Sequence, residues 1–148
     1  MGVNGFHVID LMNSGLSFDS NYFISHILCE IEQLKLQKTV KRKKIQYYLH
    51  LDNSHVHNSK VSQEKITKIG FLRAPHPAYS PDVAPSDFYL FGYVKNRLER
   101  QEFRSPDELL EAVIEIIEQI PKETKIRVFK EWMVRCQKVI DSKGEYCC

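Results

Sequence analysis

Two aspartates, Asp52 and Asp87, stand with 34 residues between them, each where a carboxylate can serve metal-dependent phosphodiester chemistry. Asp52 closes the apolar stretch Ile45-Gln46-Tyr47-Tyr48-Leu49-His50-Leu51, which reads as a buried strand. Asp87 ends Ser80-Pro81-Asp82-Val83-Ala84-Pro85-Ser86-Asp87, a proline-punctuated entry into a helix, where the positive end of the helix dipole favours an ionised side chain. A carboxylate at a strand end and another in a first helical turn can converge on one divalent ion. Cleaving a phosphodiester requires an activated attacking oxygen and a neutralised leaving alkoxide. Two Mg²⁺ ions about 3.5–4 Å apart supply both, and hard oxygen ligands, usually three carboxylates, suit them. Asn53 can hydrogen-bond a metal-bound water or the scissile phosphate. A plainer reading stays open beside this one. Asp-Asn after a strand is a common turn, and an aspartate near a helix start is a common cap.

Four histidines, His50, His55, His57 and His76, offer a rival constellation around Asp52. Imidazole nitrogens bind zinc, but His55 and His57 lack the i, i+4 spacing of a helical zinc pair and no cysteine supports them. Polar residues facing DNA or solvent is the better reading. Lys38, Lys41, Arg42, Lys43 and Lys44 crowd into seven positions of a chain whose net charge is only +2, so the positive charge is local. Such a run contacts phosphates, serves as a nuclear import signal, or is a solvated loop between helix and strand.

The elements that must position these groups follow from periodicity and punctuation. Phe6 to Met12 reads as a strand ended by Asn13-Ser14-Gly15. Asp19 or Ser20 caps a helix to about Lys38, with Phe23, Ile27, Leu28, Ile31 and Leu34 on its apolar face. After the strand ending at Leu51, a short helix from Ser59 to Ile69 stops at Gly70. Phe71-Leu72-Arg73-Ala74 is a second short strand. Pro85 opens a helix carrying Phe88, Leu90, Phe91, Val94 and Leu98. Ser105-Pro106-Asp107-Glu108 combines an N-cap serine, a first-turn proline and a capping-box glutamate. Leu109, Leu110, Val113, Ile116, Ile117 and Ile120 form the stripe of the helix that follows. A last helix, about Thr124 to Ile140, carries Ile126, Phe129, Trp132, Met133, Cys136 and Val139 inward and ends at Lys143-Gly144. Alternating strands and helices followed by three helices predict an α/β domain with a helical C-terminal layer, one domain without a linker.

Hydrophobic residues at 43% and charged residues at 27% exclude a disordered chain, and 148 residues suffice for an ordinary core. No run of about 18 apolar residues is present, so no transmembrane helix and no membrane partner are expected. Cys29, Cys136, Cys147 and Cys148 show neither disulfide nor zinc spacing and fit a reducing compartment.

His50-Leu51-Asp52-Asn53-Ser54-His55-Val56-His57-Asn58-Ser59 resembles the second catalytic-aspartate block of mariner-type transposases and related bacterial insertion-sequence transposases. The longer stretch from Pro75-His76-Pro77 through Asp82 and Pro85-Ser86-Asp87 to Phe91-Gly92 resembles their third block, and the 34-residue gap matches the mariner spacing. The resemblance covers nearly the whole chain. It implies an RNase H-like α/β fold, a mixed sheet flanked by helices with a helical C-terminal extension. It also implies a DNA-cutting, strand-transferring enzyme that uses Mg²⁺ or Mn²⁺ and acts on transposon ends, nuclear in a eukaryote and cytoplasmic otherwise, with a second copy or a full-length transposase as further partners. By matching positions Asp52 is the second metal-binding aspartate and Asp87 the third, while Asn53 and His55 line the site. Asp82, with a gap of 29 residues, does not match. Family members carry a first catalytic aspartate upstream of the segment matching Gly5-Phe6-His7-Val8, and Asp10 is not in that position. The chain is therefore expected to be the C-terminal portion of a transposase catalytic domain, N-terminally truncated, without helix-turn-helix modules and inactive alone. A non-catalytic DNA-binding or transposase-interacting protein, using Lys41, Arg42, Lys43 and Lys44, is the alternative.

Overall fold

The computed structural model describes residues 8–38 and 46–145. Lys41, Arg42, Lys43 and Lys44, along with Cys147 and Cys148, lie outside the described residues. Two compact units divide the chain, one of residues 12–78 and the other of residues 8–11 and 79–145. The division falls at Ala78–Tyr79, inside the Pro75–Pro85 segment, where punctuation alone gave no sign of a boundary.

In the first unit, Asp19 accepts the Tyr22 N–H at 2.8 Å and starts α1 (Ser20–Tyr22). The helix runs through a π-helical segment (Phe23–Leu28) into α2 (Cys29–Lys38), so the expected helix is present with a wider middle turn. Strand β1 (Tyr47–His50) follows, then two short helices, α3 (His55–Asn58) and α4 (Lys60–Lys68), and β2 (Phe71–Ala74). Ser54 caps α3 and Ser59 caps α4, each accepting a backbone N–H with its hydroxyl. Gly70, at φ +75°, lets the chain reverse after α4, a conformation that costs an L-residue roughly 1–2 kcal/mol.

β1 and β2 pair in parallel, with Tyr47 opposite Phe71 and His50 opposite Ala74. A parallel pair needs a crossover, and α3 and α4 supply it. The Tyr47 and Phe71 rings meet at 5.5 Å on one face. On the other, Tyr48 and Leu72, also opposite one another, are exposed. Phe23, Leu28, Ile66 and Ile69 form the buried core, flanked by Ile27, Ile31, Leu49, Leu51 and Val56. Lys35 seals one end of it. Its ammonium donates to the Ile69 and Gly70 carbonyls, at 2.6 and 3.0 Å, and lies 5.0 Å from the Phe71 ring centre.

The expected Phe6–Met12 strand is not formed over its described part: residues 8–12 are irregular, and among the described residues the sheet holds only β1 and β2. Alternation names a candidate strand, but only a ladder partner makes one, and no described strand pairs with it. Among the described residues the expected mixed sheet is represented only by a two-stranded parallel pair.

The second unit is helical. A 3₁₀ turn (Pro81–Val83) and a π-helical turn (Ser86–Leu90) lead into α5 (Phe91–Leu98), followed by α6 (Pro106–Glu118) and α7 (Lys122–Asp141). Ser105 accepts the Glu108 N–H at 3.2 Å, as its motif requires, while the Glu108 carboxylate reaches past the cap to the Arg104 N–H at 2.7 Å. Ile116, Ile117, Ile120 and Val128 are buried. Met133, expected inside, is 65% exposed, and Val128 is the buried residue of α7 instead. Lys143 at φ +58° and Gly144 at φ +102° close α7, with Gly144 N–H donating to Val139 and Lys143 N–H to Ile140.

Candidate metal and nucleic-acid site

Asp52 lies two residues beyond the C-terminal end of β1, in the loop that turns into α3. Its side chain is 64% exposed, yet one oxygen is committed: Oδ1 accepts the Ser54 N–H at 3.0 Å and meets His57 Nδ1 at 2.6 Å. Partial burial is the largest single influence on this carboxyl and pushes its pKa up. The Ser54 N–H, the His57 imidazole and the Ser54 hydroxyl together outweigh that, and Asp52 is held below the usual carboxylate range.

His57 is itself wedged in place. Only 14% of its side chain is exposed, and its ring lies 4.6 Å from that of Phe23 and 6.1 Å from that of Phe18. Its expected role facing DNA or solvent is therefore corrected: His57 is packed under the loop and anchors Asp52. The packing follows from α3, which turns the histidine three residues past Ser54 back against the α1 end of the core, a return that linear spacing does not reveal.

The rest of the loop is tied down from β2 and its continuation. Arg73 donates to the Asp52 carbonyl at 2.9 Å and to the Asn58 side chain. Asn53 donates to the His76 carbonyl at 3.0 Å, and Asn58 donates to the Asn53 carbonyl at 2.8 Å. His50 and His76 hydrogen-bond one another at 3.1 Å. His55 is exposed on α3. The four histidines are thus split between two separate contacts and the surface. Among the described residues no cluster of three or more His, Cys, Asp or Glu side chains is placed to hold a metal ion.

Asp87 sits differently. Val83, Ala84 and Pro85 are buried and root the turn, and the Ala84 carbonyl accepts both the Asp87 and Phe88 N–H groups, at 2.9 and 3.0 Å. Asp87 itself is exposed, and its Oδ2 accepts the Ser86 hydroxyl at 3.2 Å. The widened turn matters because π-helical turns are uncommon and concentrate at functional positions. Arg135 of α7 braces it: the guanidinium donates to the Asp82 carbonyl at 3.2 Å, lies 4.3 Å from the Phe88 ring centre and pairs with Glu131 at 2.7 Å. Asp82, the near neighbour of Asp87 in sequence, thus has its carbonyl tied into this brace.

Asp52 and Asp87 belong to different units of the chain, and each is described within its own. Both offer exposed carboxylate oxygens of the hard kind that Mg²⁺ and Mn²⁺ take.

The fold is that of a mariner transposase catalytic domain, an RNase H-like fold. The structure matches the Mos1 transposase catalytic domain solved with raltegravir and Mn with a TM-score of 0.90 at 21% identity, covering 100% of this chain and 74% of that one. It also matches the Mos1 strand transfer complex with a TM-score of 0.84 at 24% identity, covering 97% of this chain and 41% of that one. A Mos1 paired-end complex with the left transposon end matches at 0.85 and 23% identity, covering 97% and 42%. In sequence, the chain is 28% identical over 112 residues to human histone-lysine N-methyltransferase SETMAR, covering 76% of this chain and 16% of that protein. It is 28% identical over 121 residues to the mariner Mos1 transposase of Drosophila mauritiana, covering 76% of this chain and 35% of that protein. The chain thus spans 16% and 35% of the length of these two relatives. No family model matches the chain.

Proposed function

We propose that this chain is the C-terminal part of a mariner-like transposase catalytic domain, descended from metal-dependent DNA cleavage and strand transfer, and that Asp52 and Asp87 are each a divalent-cation ligand. The observation that carries the reading is the treatment of Asp52, an exposed carboxylate just past a strand end whose charged form is favoured by the Ser54 N–H and the packed His57 ring, both on Oδ1. A cap or turn aspartate needs no packed imidazole behind it, whereas a metal-binding carboxylate benefits from a partner that fixes its direction. The likeness to a domain solved with Mn and with Mg supports the choice of cation. Bound there, such ions would activate the attacking oxygen and neutralise the leaving alkoxide.

Within this proposal Asp52 and Asp87 each supply a carboxylate to a cation, and Asn53 and His55 line the Asp52 loop where a DNA strand would pass. Lys41, Arg42, Lys43 and Lys44 would contact its phosphates. A pair of ions usually takes three carboxylates, and the two here are one short. These 148 residues on their own are therefore expected to bind Mn²⁺ weakly and to leave duplex DNA uncut. Titration of Mn²⁺ followed by electron paramagnetic resonance tests the assignment. Asp52→Ala and Asp87→Ala should each lower the bound fraction, and Asp82→Ala should not. Undiminished binding in either of the first two, or robust nicking by the wild-type chain that Asp52→Ala abolishes, would contradict the account.

A further inference from the structure

Parallel pairing sets two histidines against one another. His50 is the last residue of β1 and lies opposite Ala74, the last residue of β2, and His76 follows two residues later. His50 Nε2 and His76 Nδ1 are 3.1 Å apart, the ring centres are 4.8 Å apart and the ring planes stand at 84°. Both side chains are half-buried. The backbone around each is fixed, that of His50 by the strand ladder and that of His76 through its carbonyl, which accepts the Asn53 side chain at 3.0 Å.

A hydrogen bond accounts for the first of these distances but not for the second. Hydrogen bonds favour a straight approach, and with each nitrogen about 1.15 Å from its ring centre a straight pair would set the centres about 5.4 Å apart. At 4.8 Å the two rings are bent toward one another. When the bend is shared equally, the two lone-pair axes meet about 2.1 Å from each nitrogen, at an angle of about 95°, against a Zn–N bond of about 2.0–2.1 Å. An ion at that point would bond both imidazoles without either ring having to move far.

We propose that His50 Nε2 and His76 Nδ1 form a two-imidazole site for a borderline transition-metal ion of the Zn²⁺ class, separate from the carboxylate of Asp52. Imidazole suits such ions, whereas Mg²⁺ takes hard oxygen ligands, so the two places sort cations by chemistry. The pair is made across strands and uses neither His55 nor His57, which is why the spacing of helical zinc ligands gives no sign of it. Two protein ligands leave the ion's remaining positions to water, as half-burial permits. Because Asn53 holds the His76 carbonyl, an ion here fastens the Asp52 loop to the segment after β2. This site is independent of the DNA reading above.

The test is titration of the full chain with Zn²⁺ in excess Mg²⁺, read by calorimetry and by NMR of the imidazole nitrogens. In the wild-type chain the resonances of His50 Nε2 and His76 Nδ1 should shift together as the ion binds, a result that needs no variant to fold. His50→Gln and His76→Gln should each weaken binding at least about tenfold, since losing even an outer partner of a metal ligand typically costs that much. His55→Gln and Asp52→Ala should leave binding unchanged. Zn²⁺ should raise the melting temperature of the wild-type chain over its metal-free melt and leave that of His76→Gln where it was, which tells a lost ion from a less stable fold. Shifts centred on His55 or His57, binding abolished by Asp52→Ala or by Mg²⁺, or no binding at all would overturn the site.

Discussion

The Asp52 loop and the Asp87 turn carry the same side chain and are held by opposite strategies. At Asp52 the protein grips the carboxylate: His57 and Ser54 bond one of its oxygens, and Arg73 and Asn53 pin the backbone around it. At Asp87 it grips the backbone: a buried Val83-Ala84-Pro85 root and the Arg135 brace fix the turn, while a single serine hydroxyl touches the carboxylate. The first arrangement sets direction and charge in advance. The second sets position and leaves the side chain free to choose a rotamer. The difference teaches that two exposed carboxylates of one chain need not be equally pre-organised.

The largest perturbation of this contrast is beneath the Asp52 loop. Leu28 is fully buried in the core that backs His57, and Leu28→Ala should destabilise the first unit by about 2–5 kcal/mol. Urea melts that monitor Tyr47 and Tyr48 would show it. A loss under 1 kcal/mol would mean the loop does not lean on that core.

His57→Ala removes a largely covered ring and a hydrogen bond to a charged group, and should cost about 1–3 kcal/mol. It should also raise the Asp52 pKa toward its ordinary value, read by carboxyl NMR titration. An unmoved Asp52 pKa would break the claim that this carboxylate is gripped directly. Arg135→Met loses a cation–π contact and a backbone hydrogen bond, together about 1–2 kcal/mol in the second unit. An unaltered melt of the second unit would show that the brace on the Asp87 turn is not formed in solution.

The smallest effect is in acid. Because the folded pKa of Asp52 lies below its unfolded value of about 3.9, its contribution to stability is full above that value and fades as pH falls through the lowered one. Asp52→Asn should flatten this acid limb by well under 1 kcal/mol, since a side chain 64% exposed is screened by solvent. An unaltered acid melting profile would show that the hydrogen bonds to Asp52 are not formed in solution.

Local signals in the sequence named much of this architecture. The caps at Asp19, Ser59 and Ser105 and the stop at Gly70 lie where their side chains and backbone demanded, and β2 spans the four residues read as a strand. What the chain did not disclose was long-range. Whether residues 8–12 join a sheet depends on a ladder partner, not on alternation. Val128 displaces Met133 inside α7 because the buried stripe is set by what the helix packs against. His57 looked like one of four polar histidines, and only the return of α3 against Phe23 turns it into the anchor of Asp52. The two π-helical turns widen helices whose periodicity looked unbroken, and one of them carries Asp87.

The central proposal, that Asp52 and Asp87 are cation ligands, is tested most directly by loading the chain with Fe²⁺ and generating hydroxyl radical at the bound iron with ascorbate and peroxide. The account predicts main-chain cuts in the Asp52–His57 loop that are lost in Asp52→Ala and cuts in the Asp82–Phe88 turn that are lost in Asp87→Ala, all suppressed by excess Mg²⁺. Cuts that survive these substitutions, or a pattern indifferent to Mg²⁺, would contradict it.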